Sequence, residues 1–218
     1  MAQKAQSVIK GKKSWHHIVA PPMFKDMVLG ETTVYEPSQM IGKRIEFNLM
    51  NLTGDIKRQN INLTFQVTDV KDGKGITSVM AYTMIPGSVK RLVRRRSDRV
   101  DLSFACETAD NKVVRIKPLV VTRGNTTSVI QRKLHHYAMD YVLRQVKRLT
   151  FEQLLNELVT YKFQSEMRAK LAKVYPLKSS EVRSLSIADP SEKVIKVTLS
   201  PEPVAKEEPQ QEVQAESS

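Results

Sequence analysis

The sequence predicts an α+β protein: a six-stranded, mostly antiparallel, β-barrel-like body with a helical C-terminal part packed beside it, between flexible ends. Three observations predict this. Between residues 32 and 121, apolar residues repeatedly alternate with polar ones, the period of half-buried strands. From Thr126 the apolar period lengthens to that of a helix. At both ends the patterning stops. Residues 1–14 are rich in Lys, Gln, Ala and Ser, and residues 201–218 hold five Glu and one Lys. The expected division is 1–14 as a basic arm, 15–125 as the barrel-like body, 126–199 as the helical region with a returning strand, and 200–218 as an acidic tail.

Order should begin at Trp15, the only tryptophan. The prolines of Ala20-Pro21-Pro22-Met23-Phe24 hold residues 15–24 extended, and their large side chains are expected to dock the segment on the body. Residues 28–30 read as ending in a turn and 32–35 as a short strand. Ile45, Phe47 and Leu49 alternate with Arg44, Glu46 and Asn48, and residues 51–55 carry turn chemistry. Ile61, Leu63, Phe65 and Val67 form the clearest alternation, and Asp72-Gly73-Lys74-Gly75 reads as a hairpin turn to a strand over 76–84. Residues 88–96 read as a short cationic helix. Val89, Leu92 and Val93 fall on one side, and Lys90, Arg91, Arg94 and Arg95 on the other. A hairpin follows, with Val100, Leu102, Phe104 and Cys106 inward, a turn at Asp110-Asn111, and a return over 113–121. Six short strands must hide their edges, which favours closure into a barrel.

Ile130, Leu134, Tyr137, Ala138, Tyr141, Val142 and Leu149 lie on one arc of a helix over 127–149, opposite Arg132, Lys133, His136, Arg144 and Lys147. Thr150-Phe151-Glu152-Gln153 is a capping box that starts a second helix, through Val159. A third runs over 162–174 and stops at Tyr175-Pro176. Residues 182–187 and 194–199 read as strands.

The formal net charge is +12 on 218 residues. Residues 201–218 carry a net −4, which leaves +16 on the first 200. Such an excess points to a polyanionic partner. The single cysteine, Cys106, makes no internal disulfide and fits a reducing cytoplasm. No apolar run approaches the ~18 residues of a membrane span. The residues nominate no catalytic group, no metal and no cofactor. His16-His17 and His135-His136 are adjacent pairs, and neighbours on a helix point about 100° apart rather than at one ion. No phosphate-loop, nucleophile-elbow or dinucleotide-binding pattern occurs.

What remains is basic surface, since guanidinium forks match phosphate oxygens. The candidate RNA-binding residues are Lys90, Arg91, Arg94, Arg95, Arg96 and Arg99 of the cationic segment. With them go Arg115 and Lys117, beside Lys112, of the following hairpin. Arg123, Arg132, Lys133, Arg144 and Lys147, beside Arg148, come from the long helix and its approach. Lys10, Lys12 and Lys13 lie ahead of Trp15. Aromatic residues are 6% of the chain, with no stacking pair legible on a strand. This favours docking on folded RNA by charge and shape over reading bases.

Trp15…Ala20-Pro21-x-Met23-Phe24, Gly42-Lys43-x-x-Glu46 ahead of a strand, Leu52-Thr53-Gly54-Asp55, the basic segment with its hairpin, the long basic helix and Tyr175-Pro176-Leu177 occur in that order. Across residues 15–187 this resembles the archaeal and eukaryotic small-subunit ribosomal protein family called S-three-a, or e-type S-one. The short chain and acidic end look archaeal. The resemblance implies a structural constituent of the small ribosomal subunit, bound to ribosomal RNA on the platform near the messenger RNA exit. It also implies a β-barrel with helices beside it, neighbouring ribosomal proteins as partners, a monomer within the particle, and no catalytic residue. The alternatives are a free RNA-binding translation regulator or factor, an RNA-processing enzyme and, more weakly, a membrane-surface protein.

Overall fold

The structure, a computed structural model, describes residues 12–188. The expected basic arm up to residue 11, the strand over 194–199 and the acidic tail lie outside these. Among the described residues the fold is α+β, with nine strands in one sheet that does not close and five α-helices. Every pairing but one is antiparallel. The six-stranded barrel is therefore corrected to a larger, open, mixed sheet.

The strands are β1 (Ser14–Val19), β2 (Val28–Val34), β3 (Arg44–Asn48), β4 (Ile61–Lys71), β5 (Lys74–Met84), β6 (Arg99–Asp101), β7 (Phe104–Glu107), β8 (Val113–Thr122) and β9 (Leu177–Ile187). The order runs β2-β1-β5-β9-β8-β6, with β3 and β4 joined along the other side of β5 and β7 sharing β8. β1 meets β5 in the single parallel contact, Ile18 opposite Gly75 and Val19 opposite Ile76. The β4–β5 hairpin turns on Asp72 and Gly73, both at positive φ (50° and 70°), as a two-residue primed turn requires.

β9 decides the architecture. It sits between β5 and β8, with Leu185 opposite Tyr82 on one side and Ile116 on the other. All three are fully buried. The returning strand expected over 182–187 begins five residues earlier and occupies the middle of the sheet. The hairpin strand expected over 100–106 is split into β6 and β7. Both keep one register on β8, but Pro118 stands in the gap and has no N–H to give. Its carbonyl still accepts from the Leu102 N–H at 3.1 Å.

The helices are α1 (Leu49–Thr53), α2 (Pro86–Leu92), α3 (Ser128–Arg148), α4 (Phe151–Val159) and α5 (Lys162–Ala172). α1 replaces the turn expected over 51–55. Asn48 caps it by accepting from the Met50 N–H at 2.9 Å, and Gly54 ends it at φ 71°. Leu49 is thus a buried helical residue, not a strand residue. Residues 28–30 open β2 rather than forming a turn. The capping box at Thr150 and Gln153 is present as expected. Tyr137, placed on the apolar arc of α3, is 46% exposed, while Leu143 and Val146 are buried instead. One continuous core joins Leu63, Phe65, Tyr82, Ile116 and Leu185 of the sheet to Leu134, Leu154, Phe163 and Met167 of the helices. Cys106 is buried in it, and burial pushes its thiol up to about 12.

The 15–24 segment docks through Phe24, whose ring meets Phe65 edge-on at 5.9 Å, and through Ile18 and Ala20. Trp15 does not dock: it is 70% exposed. Replacing Leu185 with Ala should cost about 2–5 kcal/mol, the range for truncating a fully buried Leu, because it opens a cavity where β5, β8 and β9 share one apolar row. A urea titration that leaves the unfolding midpoint in place would contradict the central role given to β9.

Candidate nucleic-acid interface

The cationic segment differs from the expected helix. α2 begins with Pro86 at its first position and ends at Leu92, with Val93 extended. Continuing it would stack Lys90 on Arg94 and Arg91 on Arg95 as like-charge i,i+4 pairs, which destabilise a helix. Instead the Lys178 Nζ donates to the Leu92 carbonyl at 3.1 Å, satisfying one of the groups a helix end leaves open. Arg94, Arg95 and Arg96 fall on a tight turn. Ser97 closes it by donating from Oγ to the Arg94 carbonyl at 2.6 Å. Arg96 holds φ 64°, a left-handed conformation uncommon for a non-glycine residue. All three side chains are exposed and make no hydrogen bond or ion pair among the described residues.

Asp98 ties this turn to the long helix. Its N–H donates to the Thr122 Oγ1 at 2.8 Å, and its carbonyl accepts from the Thr122 N–H at 3.0 Å. Its Oδ2 accepts from the Thr126 N–H at 2.6 Å and from the Thr126 hydroxyl at 2.8 Å. These bonds, the Thr126 N–H first, then the Thr126 hydroxyl and Gln131, hold the Asp98 carboxyl below the usual carboxylate range. The arginine turn, Arg123 and the start of α3 are thereby held in one neighbourhood, although they are far apart in sequence. Beside them a groove of about 320 Å³ is lined by Arg99, Asp101, Arg132, His135 and His136, among others. Arg99 pairs with Asp101 at 2.9 Å.

The candidate cations divide by what they touch. Arg91 donates to Ser88 at 2.8 Å and to Asn60 at 3.2 Å, and Lys112 lies over the Phe151 ring at 5.6 Å. Lys90, Arg123, Arg132, Lys133, Lys147 and Arg148 are exposed, with no bonded side-chain partner among the described residues. Arg115 and Lys117 project from β8 on the side opposite buried Val114 and Ile116, beside Ser186 and Ser184 of β9. Arg144 is half-buried on α3. The structure does not gather all of these. Lys147 and Arg148 end α3, which spans about 30 Å at 1.5 Å per residue. Lys12 and Lys13 precede β1 at the hairpin end of β5, where His16 Nδ1 lies 2.8 Å from the Gly73 carbonyl. Lys10 lies outside the described residues.

Sequence reading missed Lys57, Arg58 and Lys178. Lys57 and Arg58 join Arg91 around a cavity of about 480 Å³, whose wall includes Tyr161 and Glu181. Tyr161 donates to Glu181. Burial first, against that hydrogen bond and the charges of Arg58 and Arg168, holds Glu181 above the usual carboxylate range. No signal in the sequence joins residue 58 to residue 181, because the contact exists only once β9 has entered the sheet.

Exposed cations with no bonded side-chain partner among the described residues, set on a turn and on helices, can donate to phosphate oxygens at several points at once. Fold and site together define a basic α+β protein with exposed cations on its surface. The chain belongs to the Ribosomal S3Ae family, whose model matches residues 3–190. It is 28% identical over 207 residues to the small ribosomal subunit protein eS1 of Desulfurococcus amylolyticus, covering 92% of this chain and 97% of that relative. It is 30% identical over 192 residues to the eS1 protein of Staphylothermus marinus, covering 87% and 91%. With the eS1 protein of Halorubrum lacusprofundi the identity is also 30%, over 193 residues, covering 88% and 90%. The family is one of ribosomal structural proteins, not enzymes, and its archaeal members are the relatives matched here.

Asp98 provides a test of how the arginine turn is held. Its folded pKa lies below its unfolded value. Its contribution is therefore present above the ordinary carboxylate pKa, ~3.9, and lost as pH falls through the folded one. Replacing Asp98 with Ala should speed hydrogen exchange at the Thr126 amide at neutral pH while leaving helix content unchanged by circular dichroism. Unchanged exchange at Thr126 would show that the turn is held by something else.

Proposed function

We propose that this structural ribosomal protein is a constituent of the small subunit and grips folded ribosomal RNA by phosphate contacts. We place it on the platform, near the messenger RNA exit, among neighbouring ribosomal proteins. The observation that carries this is the family match along residues 3–190, with relatives named as small-subunit proteins over about nine-tenths of the chain. The described cations support it. Arg94, Arg95, Arg96, Arg123 and Arg132 stand unpartnered in one neighbourhood, and the body carries a large positive excess. Contacts of this kind give affinity and register without reading sequence. The platform position rests on family resemblance rather than on any residue of this chain. A free translation regulator is the competing reading, and no feature of the fold favours it over a resident protein.

Binding to small-subunit RNA should weaken steeply with salt, because each neutralised phosphate releases counterions. Changing Arg94, Arg95 and Arg96 together to Ala should flatten the log–log slope by up to about 3, near one per lost contact. An unchanged slope would remove the turn from the interface. Gradient sedimentation of a native lysate tests residence itself. The protein should travel with small subunits, and a pool chiefly in the light fractions would favour the regulator.

A further inference from the structure

The only tryptophan of the chain is on its surface. β1 alternates, with Ile18 1% exposed on the inner face and Trp15 70% exposed on the outer. Trp15 is registered against Thr33 of β2. Tyr35, two residues beyond Thr33, is 39% exposed, and the Lys13 Nζ lies 5.3 Å from its ring centroid. Diagonal neighbours on one face of a strand pair are about 7–8 Å apart at Cα. The indole, the phenol and Lys13 thus share one face of a two-stranded ribbon. Lys12 is exposed immediately before them. β2 is an edge strand that pairs with β1 alone, so no described strand flanks its outer side.

A covered tryptophan buries about 150–250 Å², and leaving one in water on a rigid strand forgoes that gain. The occupant that would recover it is indicated by its surroundings. Two flat rings with the Lys13 ammonium beside one of them, and Lys12 next in the chain, match a nucleobase flanked by its phosphates, the arrangement by which unpaired bases are held. An apolar protein segment would also cover Trp15, although exposed Val28 lies at the other end of the ribbon, opposite Val19. Lys12 and Lys13 favour the polyanion, and on the same face Glu31 is engaged by His17 at 3.2 Å.

We propose that Trp15 and Tyr35 on the β1–β2 ribbon form a stacking platform for unpaired nucleotides of RNA, with Lys12 and Lys13 meeting the flanking phosphates. This rests on the RNA-binding reading above but is separable from it. That reading concerns phosphates of folded RNA at the arginine turn, and this one concerns bases at the far end of β5.

Because the chain has one tryptophan, its fluorescence reports this site directly. Titrating the full-length protein with short oligoadenylate or oligouridylate should quench Trp15. Trp15→Ala should weaken binding of the oligonucleotide about tenfold, within the range for losing one stacked base. Trp15→Phe should retain most of the affinity, and Trp15→Leu, apolar but without a π face, should not. The loss should persist at raised salt, since stacking is not screened. Trp15 is exposed, so these variants should fold as the parent does. If Trp15→Ala leaves oligonucleotide affinity unchanged while small-subunit RNA still binds, the platform is overturned and the RNA-binding reading stands. If small-subunit RNA does not bind the parent protein at all, both fall. If Trp15→Ala spares both RNA affinities but lowers retention in purified small subunits, the occupant is a neighbouring protein and the platform is again overturned.

Discussion

The backbone bonding of β9 to β5 on one side and β8 on the other makes a single sheet out of two sets of strands. Without it, β1 to β5 would form one group and β6 to β8 another, each with a long bare edge. With it, Tyr82, Leu185 and Ile116 form one apolar row across three strands. The chain reaches this position only after α3, α4 and α5, which connect β8 to β9 and lay their apolar faces into the same core. The sheet is therefore completed last in sequence and in its middle. That contact is between distant residues, the kind whose loop-closure cost must be met before it contributes any stability.

The same closure places the charge. Thr122, at the end of β8, receives Asp98 from the arginine turn, and Asp98 in turn holds Thr126 ahead of α3. One carboxylate, kept ionised by donors, thus fixes the position of several guanidinium groups that have no partners of their own. Cations elsewhere are used internally: Arg58 against Asp55, Lys170 over Tyr141, Lys178 on the end of α2. Among the described residues, many of the unpartnered ones lie where elements end, on the turn after α2, at the approach to α3 and in its last turn, with Lys90, Arg132 and Lys133 on helix surfaces. There side chains keep their hydration and rotamer freedom until a ligand takes them up.

Much of this was legible where the cause is local. Alternation found β4, and the turn at Asp72-Gly73 announced β5 as its return, because the two pair as a hairpin close in sequence. The 3.6 period found α3, and Thr150 with Gln153 announced α4 through two reciprocal hydrogen bonds. What failed depended on distant partners. The first half of β9 reads Lys178-Ser179-Ser180-Glu181, which resembles a loop, yet Ser180 is fully buried. A short polar stretch becomes strand because β8 supplies its backbone partners, with Ser179 to Glu181 opposite Val121 to Leu119, and β5 joins only farther on, at residues 184–186. The end of α2 was missed because periodicity alone ignores repulsion between successive turns. The candidate cations were recoverable as residue types, but their grouping was not. Asp98, the residue that groups them, is a single acid in a basic run and carries no sequence signal of its role.

The positions of the arginine turn and of the Trp15 ribbon constrain the size of any ligand that meets both. They lie toward opposite ends of β5, whose eleven residues at about 3.3 Å each span roughly 35 Å. A single nucleotide cannot bridge that distance. A polynucleotide can, since 35 Å is on the order of ten base steps at 3.4 Å along a strand. The two proposed surfaces differ in kind: the turn would offer charge to a backbone, while the ribbon would offer flat rings to unpaired bases. One molecule that supplies a folded backbone at one end and unpaired bases at the other is a large structured RNA with single-stranded segments. Charge alone would be satisfied by any polyanion. The proposed ribbon differs from the arginine turn in setting exposed rings beside its charge, as Lys13 over Tyr35 does.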